Sequence, residues 1–109
     1  MERKLRERIA PRNPTETVIT CRPFDSNGAI YASDGVMRNF SRRGSYIETS
    51  HRYKSGTILI VRTLRYPPMP SSMSDEELPR SICLAEVKWQ EEMADDNAIR
   101  FGMGLKYID

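Results

Sequence analysis

The side chains best suited to bind something in this 109-residue chain are a pair of arginines and a short polar turn. Arg8 and Arg12 stand in Arg8-Ile9-Ala10-Pro11-Arg12, an R-x-x-x-R spacing. Pro11 and Pro14 keep that stretch out of regular helix, since proline lacks the N–H and clashes with the preceding turn. Held extended, four residue steps separate the two Cα atoms by up to ~13–14 Å. Each guanidinium can then address a different part of one dinucleotide-sized ligand, because its planar fork fits a phosphate or the O6/N7 edge of guanine. The second constellation is Asn39-Phe40-Ser41-Arg42-Arg43-Gly44. Asn39 offers both donor and acceptor to a base edge, and the Ser41 hydroxyl with nearby backbone N–H groups can hold a polar ligand atom. Gly44 permits either a positive φ or a close approach to the backbone. Arg42 and Arg43 either tune affinity or are simply solvated.

Other chemistry is thinly represented. His51 sits in a turn-like segment with no Ser, Cys or carboxylate at a supporting spacing, so it reads as a surface loop residue and not a general base. Cys21 and Cys83 are far apart, lie inside apolar stretches and form no CxxC, which suggests buried thiols without a metal or redox role. No acid/base pair, nucleophile–base pair or metal set appears, so the chain is not expected to be an enzyme or to need a cofactor. No apolar run approaches the ~20 residues of a membrane span and Met1–Arg12 has no apolar stretch behind its charges, so a cytoplasmic protein is expected.

The elements that must position these residues read as β-strands. Thr17–Cys21 is rich in β-branched residues; Ala29–Tyr31 through Val36–Arg38 makes a second run, with a bend or bulge expected at Asp34-Gly35; Ser45–Thr49 is a third. Thr57–Val61, the most hydrophobic stretch, follows a turn at Lys54-Ser55-Gly56. Residues 65–80 form a long Pro/Ser-rich loop. Ile82–Trp89 and Ile99–Tyr107 alternate apolar and polar residues, and Glu91–Asn97 between them reads as an acidic hairpin loop. Trp89 and the alternating aromatics fit a barrel core better than a stacking platform. Six short strands without a convincing internal helix imply an all-β barrel or sandwich, and closure would remove exposed edges. Residues 1–14 read as a flexible N-terminal strap carrying R-x-x-x-R, with two turns of helix possible over Met1–Ile9 and an extended course over Arg8–Pro14, and residues 15–109 read as the β-domain.

The R-x-x-x-R pair ahead of the first strand, followed by Asn39-x-Ser41-x-x-Gly44, resembles the PilZ domain family of bacterial cyclic di-GMP receptors. Gly44–Thr49 and Lys54–Ile60 look like that family's third strand, turn and fourth strand. Ala85–Trp89 and Gly102–Tyr107 look like its last two strands. The resemblance spans residues 8 to 109 and implies a six-stranded antiparallel β-barrel with little helix, with the 65–80 loop as a departure from many members. It implies that Arg8 and Arg12 clamp the guanines and phosphates of cyclic di-GMP. Asn39 and Ser41 would bind guanine and phosphate from the barrel face, and Gly44 would shape the turn. Members with a basic residue just before R-x-x-x-R tend to accept an intercalated ligand dimer; Glu7 stands there in this chain, which favours one ligand molecule per site.

Three functions compete. In the leading one, cyclic di-GMP docks on the barrel, orders the strap and signals to a protein effector in motility, exopolysaccharide or biofilm control. The second is a PilZ-like interaction module that works without nucleotide. The third, a small barrel for single-stranded nucleic acid, needs exposed aromatics interleaved with basic residues, which Ile58–Val61 and Ile99–Tyr107 do not offer. Charge agrees with an anionic ligand: residues 1–65 carry +7 and residues 66–109 carry −5, within a net +2. The basic half meets the small anion, and the acidic loops of the second half are the likelier meeting place for a protein.

Overall fold

Period-two alternation forces each strand of this chain to bury one face, and the sheet satisfies all of them by curling until its first and fourth strands meet. The computed structural model describes residues 13–24, 32–66, 79–94 and 99–108. Its strands are β1 (Asn13–Pro23), β2 (Ser33–Phe40), β3 (Gly44–Thr49), β4 (Ile58–Arg65), β5 (Ile82–Ala94) and β6 (Ile99–Tyr107). They form a closed antiparallel barrel in the order β1-β2-β3-β6-β5-β4. No helix occurs among the described residues, and so none is long and apolar enough to cross a membrane.

The interior is filled from all six strands. Ile19, Met37, Ile47, Leu59, Val87 and Met103 are among the fully buried side chains. One mouth is plugged by Tyr53, from the β3–β4 connection. Its hydroxyl donates to the Cys21 carbonyl (3.3 Å) and shares a 2.6 Å hydrogen bond with Ser33 Oγ. Near the opposite mouth Arg80 lies over the Tyr107 ring, 4.4 Å from its centroid. Thr63 and Tyr66 bind the Arg80 and Pro79 carbonyls there, which ties the start of β5 to the end of β4.

β2 and β4 run on to Phe40 and Arg65, past their expected ends, and four further points differ from the sequence reading. β1 begins at Asn13 and so takes in two residues of the strap, because the β2 backbone continues far enough to pair Asn13 with Phe40 and Pro14 with Asn39. The irregularity expected at Asp34-Gly35 falls instead between Met37 and Asn39, where β2 shifts register against β3. β5 runs on to Ala94, so Glu91 and Glu92 are strand residues paired with Gly102 and Phe101; β6 is long enough to partner them despite their charge. Trp89 is not in the core. A register shift between Val87 and Trp89 leaves Lys88 as an extra residue. Val87 therefore points inward and Trp89 outward, 45% exposed.

Cys21 and Cys83 are both buried and no disulfide joins them. Each pairs with Val61 from opposite sides, which puts them about 9.6 Å apart at two strand spacings and beyond disulfide reach. Burial pushes the Cys21 thiol from 9.0 up to about 12, opposed by its hydrogen bond with Tyr53. Above pH 9 an unfolded chain releases this proton while the folded one keeps it. The stabilisation is therefore complete below pH 9 and is lost as pH rises toward about 12, by at most about 1.4 kcal/mol per pH unit. Urea midpoints measured on either side of pH 9 are expected to fall with pH in the wild type, and Cys21→Ala is expected to flatten the fall. An unchanged slope in the variant would remove Cys21 as its cause.

Candidate functional site

Arg8 and Arg12 lie outside the described residues. The other three sequence candidates are brought together at the β2–β3 hairpin. Ser41 N–H donates to the Gly44 carbonyl (2.8 Å), and Arg43 N–H donates to Ser41 Oγ (3.1 Å). The serine oxygen thus fixes the turn while its own proton stays available to an acceptor such as a phosphate oxygen. The hairpin is docked onto β6 by Tyr107 N–H, which donates to the Arg43 carbonyl at 2.8 Å. Arg42 and Arg43 are exposed at its tip.

Gly44 is required for proximity and not for a positive φ, since Gly56 is the residue among those described that adopts one. A Cβ on Gly44 would overlap the Leu105 carbonyl oxygen and stand 3.0 Å from its carbon. The residue lets β3 press against β6.

Asn39 sits on the outer face because of the β2 register shift. Met37 opposes Ile47, and Asn39 opposes Tyr46 after one extra residue, Arg38. Arg38 and Asn39 therefore both face outward. From Asn39 the register continues across the sheet: Tyr46 opposes Gly104, and Gly104 opposes Trp89. One row on the outer surface thus carries Asn39, Tyr46, Gly104 and Trp89 on four adjacent strands, and Pro14 of β1 extends it on the other side.

Along that row Tyr46 and Trp89 stack, their ring centroids 5.7 Å apart and their planes 24° from parallel. Glycines make the contact possible. A Cβ on Gly104 would fall on Nε1 and Cε2 of the indole, and one on Gly102 would fall on the Tyr46 hydroxyl. Both rings pack against the β6 glycines, while Met103 between the glycines points into the barrel and is fully buried. An aromatic surface of this kind accepts the face of a purine.

The charges around it are largely spoken for. Arg38 Nε donates to Glu48 Oε1 at 3.1 Å, and its NH1 stands 3.6 Å from Glu16 Oε2. Tyr46 O–H donates to Glu48 Oε2 (3.3 Å) and lies 3.4 Å from Met93 Sδ. Desolvation first, and then the Glu48 carboxylate, push the Tyr46 hydroxyl above its ordinary range. It stays protonated and holds its ring in place. Arg42 and Arg43 enter no ion pair among the described residues and are the cations nearest the hairpin in sequence. No group of three or more His, Cys, Asp or Glu side chains placed to hold a metal occurs among the described residues.

The aromatic pair was missed in the sequence because Trp89 was assigned by strict alternation. The signal that could have found it is Gly102-Met103-Gly104. Two glycines on one face of a strand leave a floor that a large neighbouring side chain must fill. No protein-family model matches the chain, and no curated protein matches it.

Proposed function

We infer that this protein is a cytoplasmic cyclic di-GMP sensor that acts on a protein effector. The observation that carries the reading is the outer row in which Asn39 stands beside a stacked Tyr46–Trp89 pair, next to the Ser41–Gly44 hairpin. A cyclic dinucleotide has two purine faces and two phosphates, and this surface offers an aromatic platform, an amide, a serine hydroxyl and two exposed arginines. Asn39 reads a guanine edge, Trp89 supports the base, and Ser41 with Arg42 and Arg43 meets the phosphates. Arg8 and Arg12 complete the site from the strap, which leads into β1 where Asn13 and Pro14 pair with Phe40 and Asn39. Binding by a doubly charged ligand orders such an arm, and the ordered arm is what the effector reads.

The outward Tyr46 and Trp89 also give single-stranded nucleic acid the exposed aromatics that reading requires. Its electrostatics are poorer: Glu48 and Glu91 oppose Gly102 from either side, which puts carboxylates where a polyanion would run. A compact dianion brings fewer phosphates past these carboxylates than an extended strand does, and Glu48 is already engaged by Arg38 and the Tyr46 hydroxyl.

Calorimetric titration with cyclic di-GMP tests the reading. Saturable binding is expected in the wild type, and Arg8→Ala and Asn39→Ala are each expected to weaken it about tenfold or more, as for a lost hydrogen bond to a charged or buried group. No binding by the intact protein at tens of micromolar ligand would sink the proposal. Equal competition by an unrelated oligonucleotide would transfer the site to nucleic acid.

A further inference from the structure

Across the barrel from the hairpin, the outer face of β4 and β5 is unusually apolar for a surface. The register places Ile60 beside Leu84 and Arg62 beside Ile82, all on the outward side. Ile108 N–H donates to the Leu84 carbonyl at 3.0 Å, and Phe24 N–H donates to the Ile58 carbonyl at 2.8 Å, so both residues join the same stripe. Four of its members are large and half exposed: Phe24 55%, Leu64 55%, Ile82 50% and Ile108 53%. Leu64 faces outward by alternation from Arg62, and the register shift that pairs Val18 with Arg65 but Ile19 with Thr63 brings Arg65 onto the same outer face. Contiguous exposed apolar surface on a soluble fold marks a contact site.

Its charges point one way. Arg22 opposes Ile60 and Arg65 opposes Val18, and with Arg62 they place three exposed guanidiniums in and beside the stripe. None of the three enters an ion pair among the described residues. The carboxylates nearest in register are Glu86, which Lys88 Nζ approaches at 3.8 Å, Glu16, two residues from the Val18 that opposes Arg65 and 3.6 Å from Arg38 NH1, and Asp34, about 9.6 Å from Arg62 at two strand spacings.

We propose that the β4–β5 face is a docking surface for an acidic, apolar segment of a partner protein, whose aliphatic or aromatic side chains cover Ile60, Ile82, Leu84 and Leu64 while its carboxylates meet Arg22, Arg62 and Arg65. The barrel is closed, so the partner cannot add a strand to an edge and must bind through side chains on the face. A second copy docked by two-fold symmetry would set these arginines against each other. A membrane surface is matched by apolar tips projecting beyond a basic collar, whereas here Arg62 and Arg22 lie within the apolar rows. This surface is independent of the nucleotide reading and stands or falls by itself.

The test is selection of a displayed random-peptide library on the intact protein, followed by titration of the selected peptides. Enrichment of Asp and Glu together with aliphatic or aromatic residues is expected. The selected peptides should bind at least tenfold more weakly to the double variant Leu64→Ser, Ile82→Thr and to the double variant Arg62→Glu, Arg65→Glu, both of which alter exposed side chains and leave the core intact. Neutral or basic winners, or peptides that bind both variants as well as wild type, would overturn the proposal. So would preferential binding to phosphatidylglycerol vesicles, or a sedimenting dimer that the variants dissociate. Peptide binding that appears only after residues 67–78 are replaced by a Gly-Ser linker would assign the face to this chain's own segment and overturn it as well.

Discussion

Gly44→Ala is expected to lose a large share of the protein's stability, although it adds a single methyl group at a surface hairpin. The added carbon would overlap the Leu105 carbonyl oxygen, and backbone cannot step aside as a side chain can. β6 would have to retreat from β3 along a seam that begins at the Gly44–Lys106 pair. An overpacking cost of about 3 kcal/mol or more is a large share of the roughly 5–15 kcal/mol that holds a domain together. It corresponds to a melting temperature lower by about 12–24 °C. The neighbouring Ser45→Ala is the control. Its hydroxyl is buried without a hydrogen-bond partner among the described residues, so removing it is expected to be neutral or stabilising. Thermal denaturation followed by circular dichroism reads both variants. A Gly44→Ala melt within a few degrees of wild type would show that β6 yields more readily than its geometry implies. Loss of ligand binding in Gly44→Ala would, on the same grounds, report unfolding and not a missing contact.

Trp89→Ala is expected to do the reverse, leaving the fold and removing the platform. Its indole is nearly half exposed and packs on Gly104 and Tyr46 on the outside of the barrel, so the melting temperature should move little. If a guanine stacks there, its loss costs about 1–3 kcal/mol, or roughly 5- to 150-fold in affinity for cyclic di-GMP. Gly104→Ala reaches the same end indirectly. Its methyl group would take the space of Nε1 and Cε2, but those atoms belong to a side chain with solvent beyond it, so the indole swings out and the barrel survives. Because Trp89 is the only tryptophan in the chain, tryptophan emission excited selectively over the tyrosines reports this position alone. Ligand should change the emission of the wild type, and Gly104→Ala should shift it before any ligand is added. Wild-type affinity in Trp89→Ala would exclude the platform from recognition.

The fold was legible because the information is local and repeated. Each of the six strands announces itself by alternation or β-branched content, and closure follows from the lack of anything else to cover an edge. What escaped were single-residue insertions. At Arg38 and Lys88 one extra residue reverses which side chains face out, and nothing in the composition around them marks it. That is why Asn39 could be named from its motif without its neighbours Tyr46 and Trp89. Ser41 was placed correctly in a turn, and its bond from Arg43 N–H is the ordinary behaviour of serine at such positions. Gly44 was named with two possible reasons, and only the distance to Leu105 selects between them. Arg8 and Arg12 remain proposals from the sequence, to be decided by titration.

The seams of the barrel are unequal in length. β5 and β6 stay paired from Ala85–Tyr107 to Ala94–Ile99, whereas β2 and β3 pair only from Gly35–Thr49 to Phe40–Ser45, and β4 and β5 only from Ile58–Glu86 to Arg62–Ile82. These two seams lie on opposite sides of the barrel and divide its ring into β4-β1-β2 and β3-β6-β5, although the β3–β6 seam, from Gly44–Lys106 to Thr49–Phe101, is scarcely longer. The Asn39–Tyr46 pair straddles one of the two seams and the Ile60–Leu84 pair the other. A molecule that grips both sides of either seam acts as a clasp and slows amide hydrogen exchange along the seam it crosses.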